Sequence, residues 1–377
     1  MSNVMWTRSG AKSTRRTVLA CALGMVLAAC GGGSGGGLLV PPLPGIIPPT
    51  NPPPTVVQPA NPDYSRHLAV TNTYAAHEAG FTGRGVRIGV LDSGVNRNHP
   101  ALRDRVAANL NYVGAGNNLS VDDVVGHGTW VTQVAAGQPF GTWPGGVAQN
   151  AEIVSARIIN DKPPVDDGSG NGNPVTGRIG VEAIHADLIQ RGVRVMNNSW
   201  GGLYFSSDAA AAAIAGEYRP FVINHGGLVV FSSGNSGRVS PSDLAALPSQ
   251  RGVGGSLPAA DLERGWLTVS ALAPNSSTQL ATYSNACGIA MRYCLVAPGS
   301  VVVTGKDDRP DAPTYRTDLS GTSFSAPLVS GAAALVWEAF PYFNNDLVRQ
   351  TILGTATDIG APGVDPVFGY GVLNVGR

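Results

Sequence analysis

Charged residues are scarce in this sequence: they make up 13% of its 377 residues, whereas about 25% is usual for soluble domains. Acidic and basic residues are equal in number, at 25 each, and no basic run occurs beyond the N-terminal segment. This balance argues against nucleic acid as a partner. The surface must be built largely from Gly, Ser, Asn, Thr and Ala, while the hydrophobic content of 43% suffices for one large core or two smaller ones.

The N-terminal apolar stretch, residues 18–29, is too short to span a bilayer as a mature helix. Basic residues precede it and Ala28 and Ala29 lead into Cys30, so residues 1–29 are predicted to be a signal peptide. The sequence "LAACG" resembles the lipobox of bacterial lipoproteins, in which cleavage leaves the cysteine as the lipidated first residue. The resemblance implies that Cys30 carries palmitate and anchors an exported protein at the outer membrane or cell surface. A plain signal peptide, in which Cys30 has no such role, is the alternative.

Cysteine is also scarce, with four in the chain. Cys21 lies in the predicted signal and Cys30 is the predicted lipid site, which leaves Cys287 and Cys294 for the exported domain. Because export takes a protein into an oxidising compartment, we expect these two residues to form a disulfide. Two free buried thiols are the alternative.

Residues 30–62 are rich first in glycine and then in proline, a composition that cannot hold a packed core. We predict that this segment is a linker between the anchor and one domain over residues 63–377, in which no internal repeat is visible. Within that domain, four apolar, β-branched runs are typical of parallel strands that are buried on both faces. They cover residues 86–94, 152–159, 193–201 and 228–235.

Helical segments alternate with these runs: one begins at His127, one spans residues 175–192 and one begins at Ser323. The alternation predicts an α/β fold with a mainly parallel sheet between helices on both faces. In such a sheet the carboxyl ends of strands and the N-termini of the following helices lie at one edge. We therefore expect Asp92 and Asn235, which end strands, to approach His127 and Ser323.

These residue types fit nucleophilic acyl transfer. A serine hydroxyl needs a base to take its proton, an imidazole is the usual base near neutral pH, and a carboxylate can orient that imidazole. The amide of Asn235 and the backbone N–H of Ser323 can donate hydrogen bonds to a developing oxyanion. The alternative for Ser323 is an ordinary helix cap.

Five sequence blocks resemble the subtilisin-like serine proteases, in that family's Asp, His, Ser order. They are "VLDSGVNRNHPAL", "GHGTWVTQVAAG", "NNSWGG", "FSSGNSG" and "GTSFSAPLVSGAAALVW". The resemblance implies a subtilisin-like three-layer fold and a serine endopeptidase with Asp92 as orienting acid, His127 as base and Ser323 as nucleophile.

The same resemblance implies that Asn235 is the oxyanion donor and that the peptide-binding cleft is lined by the "NNSWGG" and "FSSGN" blocks. The residues concerned are Ser199, Trp200, Gly201, Ser233 and Gly234. The first three are expected to pair with the substrate backbone as an added strand. Trp200 is bulky for that edge and is expected to narrow or cover a subsite.

Other motifs give less support. "HEAGF" at His77 lacks the second histidine of a zinc protease, and "DGSGNG" at Asp167 has Arg178 where a calcium loop needs glutamate. We expect no organic cofactor and no metal, and structural calcium has no motif behind it. Residues 160–177 are predicted to be an exposed loop. The remaining histidines are expected at surface or hydrogen-bonded core positions; they are His67, His77, His99, His185 and His225.

A lipobox, a Gly/Pro linker and a subtilase unit together resemble the lipoprotein autotransporter subtilases of Gram-negative bacteria, some of which mature surface proteins. That group has a C-terminal membrane β-barrel, and up to Arg377 no such segments occur, so we expect a truncated chain or a simple lipoprotein. A folding pro-domain is not recognisable before the catalytic part. The contrasting hypothesis is a catalytically silent surface lipoprotein that binds peptides or acts in adhesion.

Overall fold

The computed structural model describes residues 62–162 and 173–377. The predicted signal peptide, Cys30, the linker up to residue 61 and the "DGSGNG" segment lie outside the described residues. In the part of the chain that is described, no helix has both the length and the apolar character needed to cross a membrane.

The described helices are, in chain order, α1 (Pro62–Val70), α2 (Thr73–Glu78), α3 (His127–Ala136), α4 (Glu182–Gln190), α5 (Ala210–Arg219), α6 (Thr322–Ala339) and α7 (Asn345–Gly354). The described strands are β1 (Arg87–Asp92), β2 (Val106–Asn111), β3 (Glu152–Arg157), β4 (Asn173–Val175), β5 (Val195–Asn198), β6 (Leu203–Phe205), β7 (Leu228–Ser232), β8 (Trp266–Leu272), β9 (Cys294–Pro298), β10 (Ser300–Thr304) and β11 (Tyr315–Ser320).

A seven-stranded sheet in the order β2-β3-β1-β5-β7-β8-β9 forms the centre of the fold. Every neighbouring pair in it is parallel, which confirms the predicted α/β class. Asp92 pairs in register with Arg157, and Leu91 with Asn198, so the carboxyl ends of β1, β3 and β5 coincide.

Alternate residues of the central strands belong to two apolar clusters. On β7, Leu228 and Val230 pack in a cluster with α3 and α6, whereas Val229 and Phe231 pack in a cluster with α4 and α5. Because successive side chains of a strand point to opposite faces, the clusters cover the two sides of the sheet. This arrangement gives three layers, helices over sheet over helices.

The predicted helix over residues 175–192 is wrong in its first half. Residues 173–175 form β4, which pairs with β6, so the predicted loop over residues 160–177 is also wrong at its end. The helix begins only at Glu182, after Gly177 and Gly180, and Gly180 has a φ of 78°. Glycine is costly inside a helix, and a left-handed φ ends helical geometry.

Two further features complete the domain. β10 and β11 form an antiparallel pair that leads directly into α6. Cys287 and Cys294 form the predicted disulfide, with their Cα atoms 5.6 Å apart, and both residues are buried against β8.

Candidate active site

Asp92 and His127 meet at the carboxyl edge of the sheet. The Asp92 side chain is fully buried at the end of β1, and its Oδ1 lies 2.8 Å from His127 Nδ1. The same oxygen accepts a hydrogen bond of 2.7 Å from the Ser93 amide. An N–H at Nδ1 leaves Nε2 as the free basic nitrogen of the neutral ring.

The pKa of His127 reflects opposing influences. Burial disfavours the charged ring, while the negative charge of Asp92, its hydrogen bond and the charge of Asp123 favour that ring. The net result is a pKa raised above the ordinary value of 6.5. The imidazole is therefore a stronger base than a free histidine, and its side chain remains 27% exposed to an incoming proton donor.

A second buried carboxylate, Asp123, holds the start of α3. Its Oδ1 accepts hydrogen bonds from the Gly126 amide and the Ser93 hydroxyl, at 2.7 and 2.9 Å. Its Oδ2 accepts from the amide and hydroxyl of Thr129, at 2.9 and 2.6 Å. These bonds satisfy amides at the helix N-terminus, and they fix the turn from which His127 projects.

Ser323 lies in the first turn of α6, an 18-residue helix, and the residue is 8% exposed. The positive end of the helix dipole therefore faces the serine. Phe324, the next residue, packs against the imidazole of His127 with 5.6 Å between ring centroids. In the described chain the Ser323 hydroxyl makes no hydrogen bond to His127, a contact that in free enzymes often tightens only with substrate.

Buried hydrogen bonds tie the nucleophile's backbone to β5. Ser330, two turns along α6, donates to Asn197 Oδ1 at 2.8 Å, and Asn197 Nδ2 donates to Ser199 Oγ at 2.9 Å. The Ser199 hydroxyl donates to the carbonyl of Ser323 at 2.7 Å. The backbone of Ser323 is thus held by Ser199, the residue that follows β5, and Asn197 of β5 connects Ser199 to Ser330 of the same helix.

Asn235 reaches the same turn of α6. Its Oδ1 accepts hydrogen bonds from the amide and hydroxyl of Thr322, both at 2.9 Å. A methyl group built on Gly321 would lie 3.0 Å from Ser323 Oγ and 3.5 Å from Asn235 Nδ2. The amide nitrogen and the serine oxygen therefore face one small space, which a glycine keeps open.

The loop that carries Asn235 is supported by Asn285. This fully buried side chain accepts hydrogen bonds from the amides of Ser236 and Arg238 and donates to the carbonyl of Ser233. A methyl on Gly234, which has a φ of 113°, would come within 2.5 Å of the Asn285 amide nitrogen. Close packing and a left-handed backbone both require glycine there.

The predicted substrate-binding segment lies beside this loop. Gly201 is exposed, whereas the ring of Trp200 turns inward and packs edge-on against Phe231 with 5.3 Å between centroids. The carbonyl of Trp200 accepts a hydrogen bond from Ser232. The pairing of residues 199–201 with substrate, and the effect of Trp200 on a subsite, stay predictions.

Three supports of the site were not predicted from the sequence: Asp123, Asn285 and the Asn197–Ser330 pair. Asp123 lies three residues before the N-cap Gly126, so the usual helix-start pattern does not indicate it. The others act across more than 40 positions of sequence, and no local pattern signals them.

The five remaining histidines bond to backbone carbonyls, in agreement with the expectation of satisfied core positions. Four are buried, and His67 and His77 meet the carbonyls of Gly145 and Val147. Burial lowers the pKa of His67 to about 4. Within residues 62–162 and 173–377, no cluster of three or more His, Cys, Asp or Glu side chains is placed to hold a metal ion.

Comparison with known proteins bears on this site. A model of the subtilase family matches residues 83–371. The chain is 29% identical to the neisserial autotransporter lipoprotein NalP of Neisseria meningitidis serogroup B, over 81% of this chain and 34% of that protein. It thus spans about a third of that relative's length. It is 31% identical to subtilisin Savinase of Lederbergia lenta, over 80% of this chain and 93% of the other.

Solved structures agree on the fold. The protease MycP1 with its N-terminal propeptide removed matches with a TM-score of 0.59 and 24% identity, over 82% of this chain and 94% of that one. A cold-adapted subtilisin-like serine proteinase matches with a TM-score of 0.55 and 24% identity, over 78% of this chain and 90% of that one. Together with the family match, which covers most of the sequence, these findings establish that the chain belongs to the subtilase family of serine proteases.

Proposed function

We propose that this protein is a membrane-tethered serine endopeptidase that hydrolyses peptide bonds through an acyl-enzyme. The observation that carries the proposal is the meeting of the Asp92–His127 pair, 2.8 Å apart, with the first turn of α6, where Ser323 and the Asn235 amide share one space. A binding module has no need for all four groups in this arrangement.

In the proposed reaction, Ser323 Oγ attacks the carbonyl carbon of the scissile bond while His127 Nε2 takes the hydroxyl proton. Asp92 keeps the Nδ1 proton in place and stabilises the imidazolium that forms. The oxyanion of the tetrahedral intermediate accepts hydrogen bonds from Asn235 Nδ2 and the Ser323 amide. The C–N bond then breaks as His127 gives its proton to the leaving amine, and the acyl group remains esterified to Ser323. Water hydrolyses this ester: His127 takes a proton from the attacking water and then returns it to the Ser323 oxygen as the ester bond breaks.

This chemistry uses side chains and backbone amides alone, so we propose that catalysis needs no organic cofactor and no metal. A calcium ion with a purely structural role would not enter any of these steps.

The tether is proposed from Cys30 and the Gly/Pro-rich segment that follows it. A similar protein is named an autotransporter lipoprotein and another, of Serratia marcescens, an extracellular serine protease, which supports export of this chain as well. A protease held on the outer membrane or cell surface by a long spacer can reach neighbouring surface proteins, and we propose these as its substrates.

Labelling with a fluorophosphonate probe tests the mechanism. We expect the probe to modify Ser323, and Ser323→Ala to lose both labelling and hydrolysis of a denatured protein substrate. Ser325→Ala is the matched control, because Ser325 is buried in the same helical turn while its hydroxyl bonds to the carbonyls of Ala297 and Pro298. Hydrolysis that persists in Ser323→Ala would contradict the mechanism, and a wild type without hydrolysis or labelling would favour a silent binding protein.

A further inference from the structure

A pocket of about 470 Å³ opens on the side of the molecule that carries β6. Phe205 and Ile289 contribute apolar surface to its lining, and Asp208, Asp243 and Arg251 contribute charge. Its volume lies in the range of pockets that bind small ligands or single side chains.

Asp243 is the only half-buried charged group of the lining; Asp208 and Arg251 are exposed. Its Oδ2 accepts a hydrogen bond of 2.6 Å from the Phe205 amide, and its Oδ1 accepts one of 3.3 Å from Gln250. Burial raises the pKa of Asp243 above its ordinary value, although the Phe205 amide, the charge of Arg238 and the Gln250 bond act in the opposite direction. The net shift means that these partners do not fully offset the cost of burying the negative charge of Asp243.

Two arginines are nearby: Arg238, whose charge acts on Asp243, and Arg251, which belongs to the lining. The guanidinium of Arg238 stacks over the ring of Tyr204, 4.6 Å from its centroid. Arg251 and Asp208 are both exposed residues of the lining, where solvent and salt screen their charges.

Contacts connect the pocket to the predicted peptide-binding segments. The amide of Ser242, which precedes Asp243, donates a hydrogen bond of 2.9 Å to the carbonyl of Ser233, two residues before Asn235. A methyl group on Gly201 would lie 3.7 Å from the Ser242 hydroxyl. β6, which carries Phe205, begins two residues after Gly201. Ser242 thus links the pocket to both segments that are predicted to line the peptide-binding cleft.

We propose that this pocket is a subsite for a basic side chain of the substrate, with Asp243 receiving the cationic head and the apolar surfaces of Phe205 and Ile289 packing on its stem. Lysine and arginine combine a charged end with an aliphatic stem, so they match a carboxylate flanked by apolar surface. The proposal names a substrate preference of the protease and rests on the proposed function.

The test compares paired peptides on the full-length protein. In each pair, a quenched fluorogenic peptide carries one lysine or the uncharged norleucine, and the position of that residue moves through six sites N-terminal to the cut. We expect wild type to prefer lysine at one site by about tenfold in kcat/KM, the effect of one charge-assisted contact. Asp243→Asn, which can still accept from the Phe205 amide, is expected to abolish that preference while norleucine peptides are cut at the wild-type rate.

Asp208→Asn removes an equal charge from the exposed part of the lining and is the control; it should keep most of the preference. As a second variant, Ile289→Lys places a cation at a side chain that is 50% exposed, where folding is not at stake, and should slow only the lysine peptide. The proposal is overturned if wild type shows no preference at any site, or if the preference survives Asp243→Asn or is unchanged in Ile289→Lys. Failure of the proposed function looks different, since norleucine peptides would then also remain uncut.

Discussion

The side-chain amide of Asn235 has one orientation that its neighbours allow. The backbone N–H of Thr322 can only donate, so the atom 2.9 Å away must be Oδ1, and Nδ2 turns toward the space beside Ser323. A donor fixed in this direction before substrate arrives needs no reorganisation during the reaction, which is the basis of the oxyanion role that we propose for Asn235.

We predict that Asn235→Ala lowers kcat by about 10²–10³-fold, because one donor to the oxyanion is lost. KM should change little, since the charge that this donor meets develops mainly in the transition state. The measurement is steady-state kinetics with a thermal unfolding curve on the same variant. A lowered midpoint with near-normal kcat in the folded fraction would instead assign Asn235 to the structure of its loop.

The raised pKa of His127 predicts the acid limb of the pH profile. The base must be neutral to act, so kcat/KM should fall as the pH decreases through a value above 6.5. Asp92→Asn removes the charge that favours the protonated ring, so the limb should move to lower pH, and kcat should fall by about 10⁴-fold because the tautomer is no longer held. A limb that stays in place in Asp92→Asn would show that another group controls it.

At the scale of elements, the candidate active site lies where strands and helices end or begin. β1 ends at Asp92, α3 begins at His127, and β11 passes through Gly321 into α6. Each junction is stabilised from another part of the chain: Asp123 for α3, Asn285 for the Asn235 loop and the Ser199 hydroxyl for α6. The side chains proposed to react therefore lie at the ends of regular elements, a position that combines fixed placement with access to substrate.

The turn between β11 and α6 requires glycine at position 321. The φ of 151° and ψ of 156° of Gly321 fall in a region open almost only to glycine. We predict that Gly321→Ala lowers the free energy of unfolding by about 1–3 kcal/mol. It should also reduce kcat/KM by more than tenfold, because the added methyl would lie 3.0 Å from the Ser323 hydroxyl, in the space left for the oxyanion.

Gly216→Ala is the matched control for that variant. Gly216 is exposed within α5, and a methyl there meets nothing within 4 Å. It should leave kcat/KM unchanged and stabilise the protein by about 0.5–1 kcal/mol, as alanine does in a helix interior. Denaturant unfolding and peptide hydrolysis on both variants give the comparison, and equal activity of Gly321→Ala and wild type would contradict the geometry.

At the scale of the whole molecule, four strands of the central sheet could be predicted from the sequence, and so could the carboxyl edge of the sheet as the place of the candidate site. β1, β3, β5 and β7 are apolar runs of the right length, and parallel strands bring their carboxyl ends together, so Asp92 and His127 were expected at one edge. β2, β8 and β9 were not predicted. β2 reads "VAANLN", with little strand propensity, and the short β9 is too uniformly apolar to show a period that separates strand from other buried structure.

The supports of the site escape sequence reasoning for a different reason. A buried asparagine such as Asn285 is recognisable only when the loop it holds is folded around it, because its partners come from residues 233–238. The predicted start of the helix over residues 175–192 is wrong for a similar reason, because its cause is a residue distant in sequence. The fully buried carboxylate of Glu217 accepts hydrogen bonds from the amides of Ile179 and Val181, just before the helix begins at Glu182.

The attachment of the molecule to a membrane is the last prediction. If Cys30 carries the lipid, Cys30→Ser should leave protein that is either unprocessed or released into the soluble fraction. The reason is that the lipid on Cys30 is the membrane attachment that we propose. Cys21→Ser is the control, because Cys21 is removed with the signal peptide and its variant should remain bound like wild type. Fractionation after alkaline washing, with fluorophosphonate labelling of each fraction, measures both location and an intact active site. Equal retention of Cys30→Ser and wild type would show that the attachment lies elsewhere in the chain.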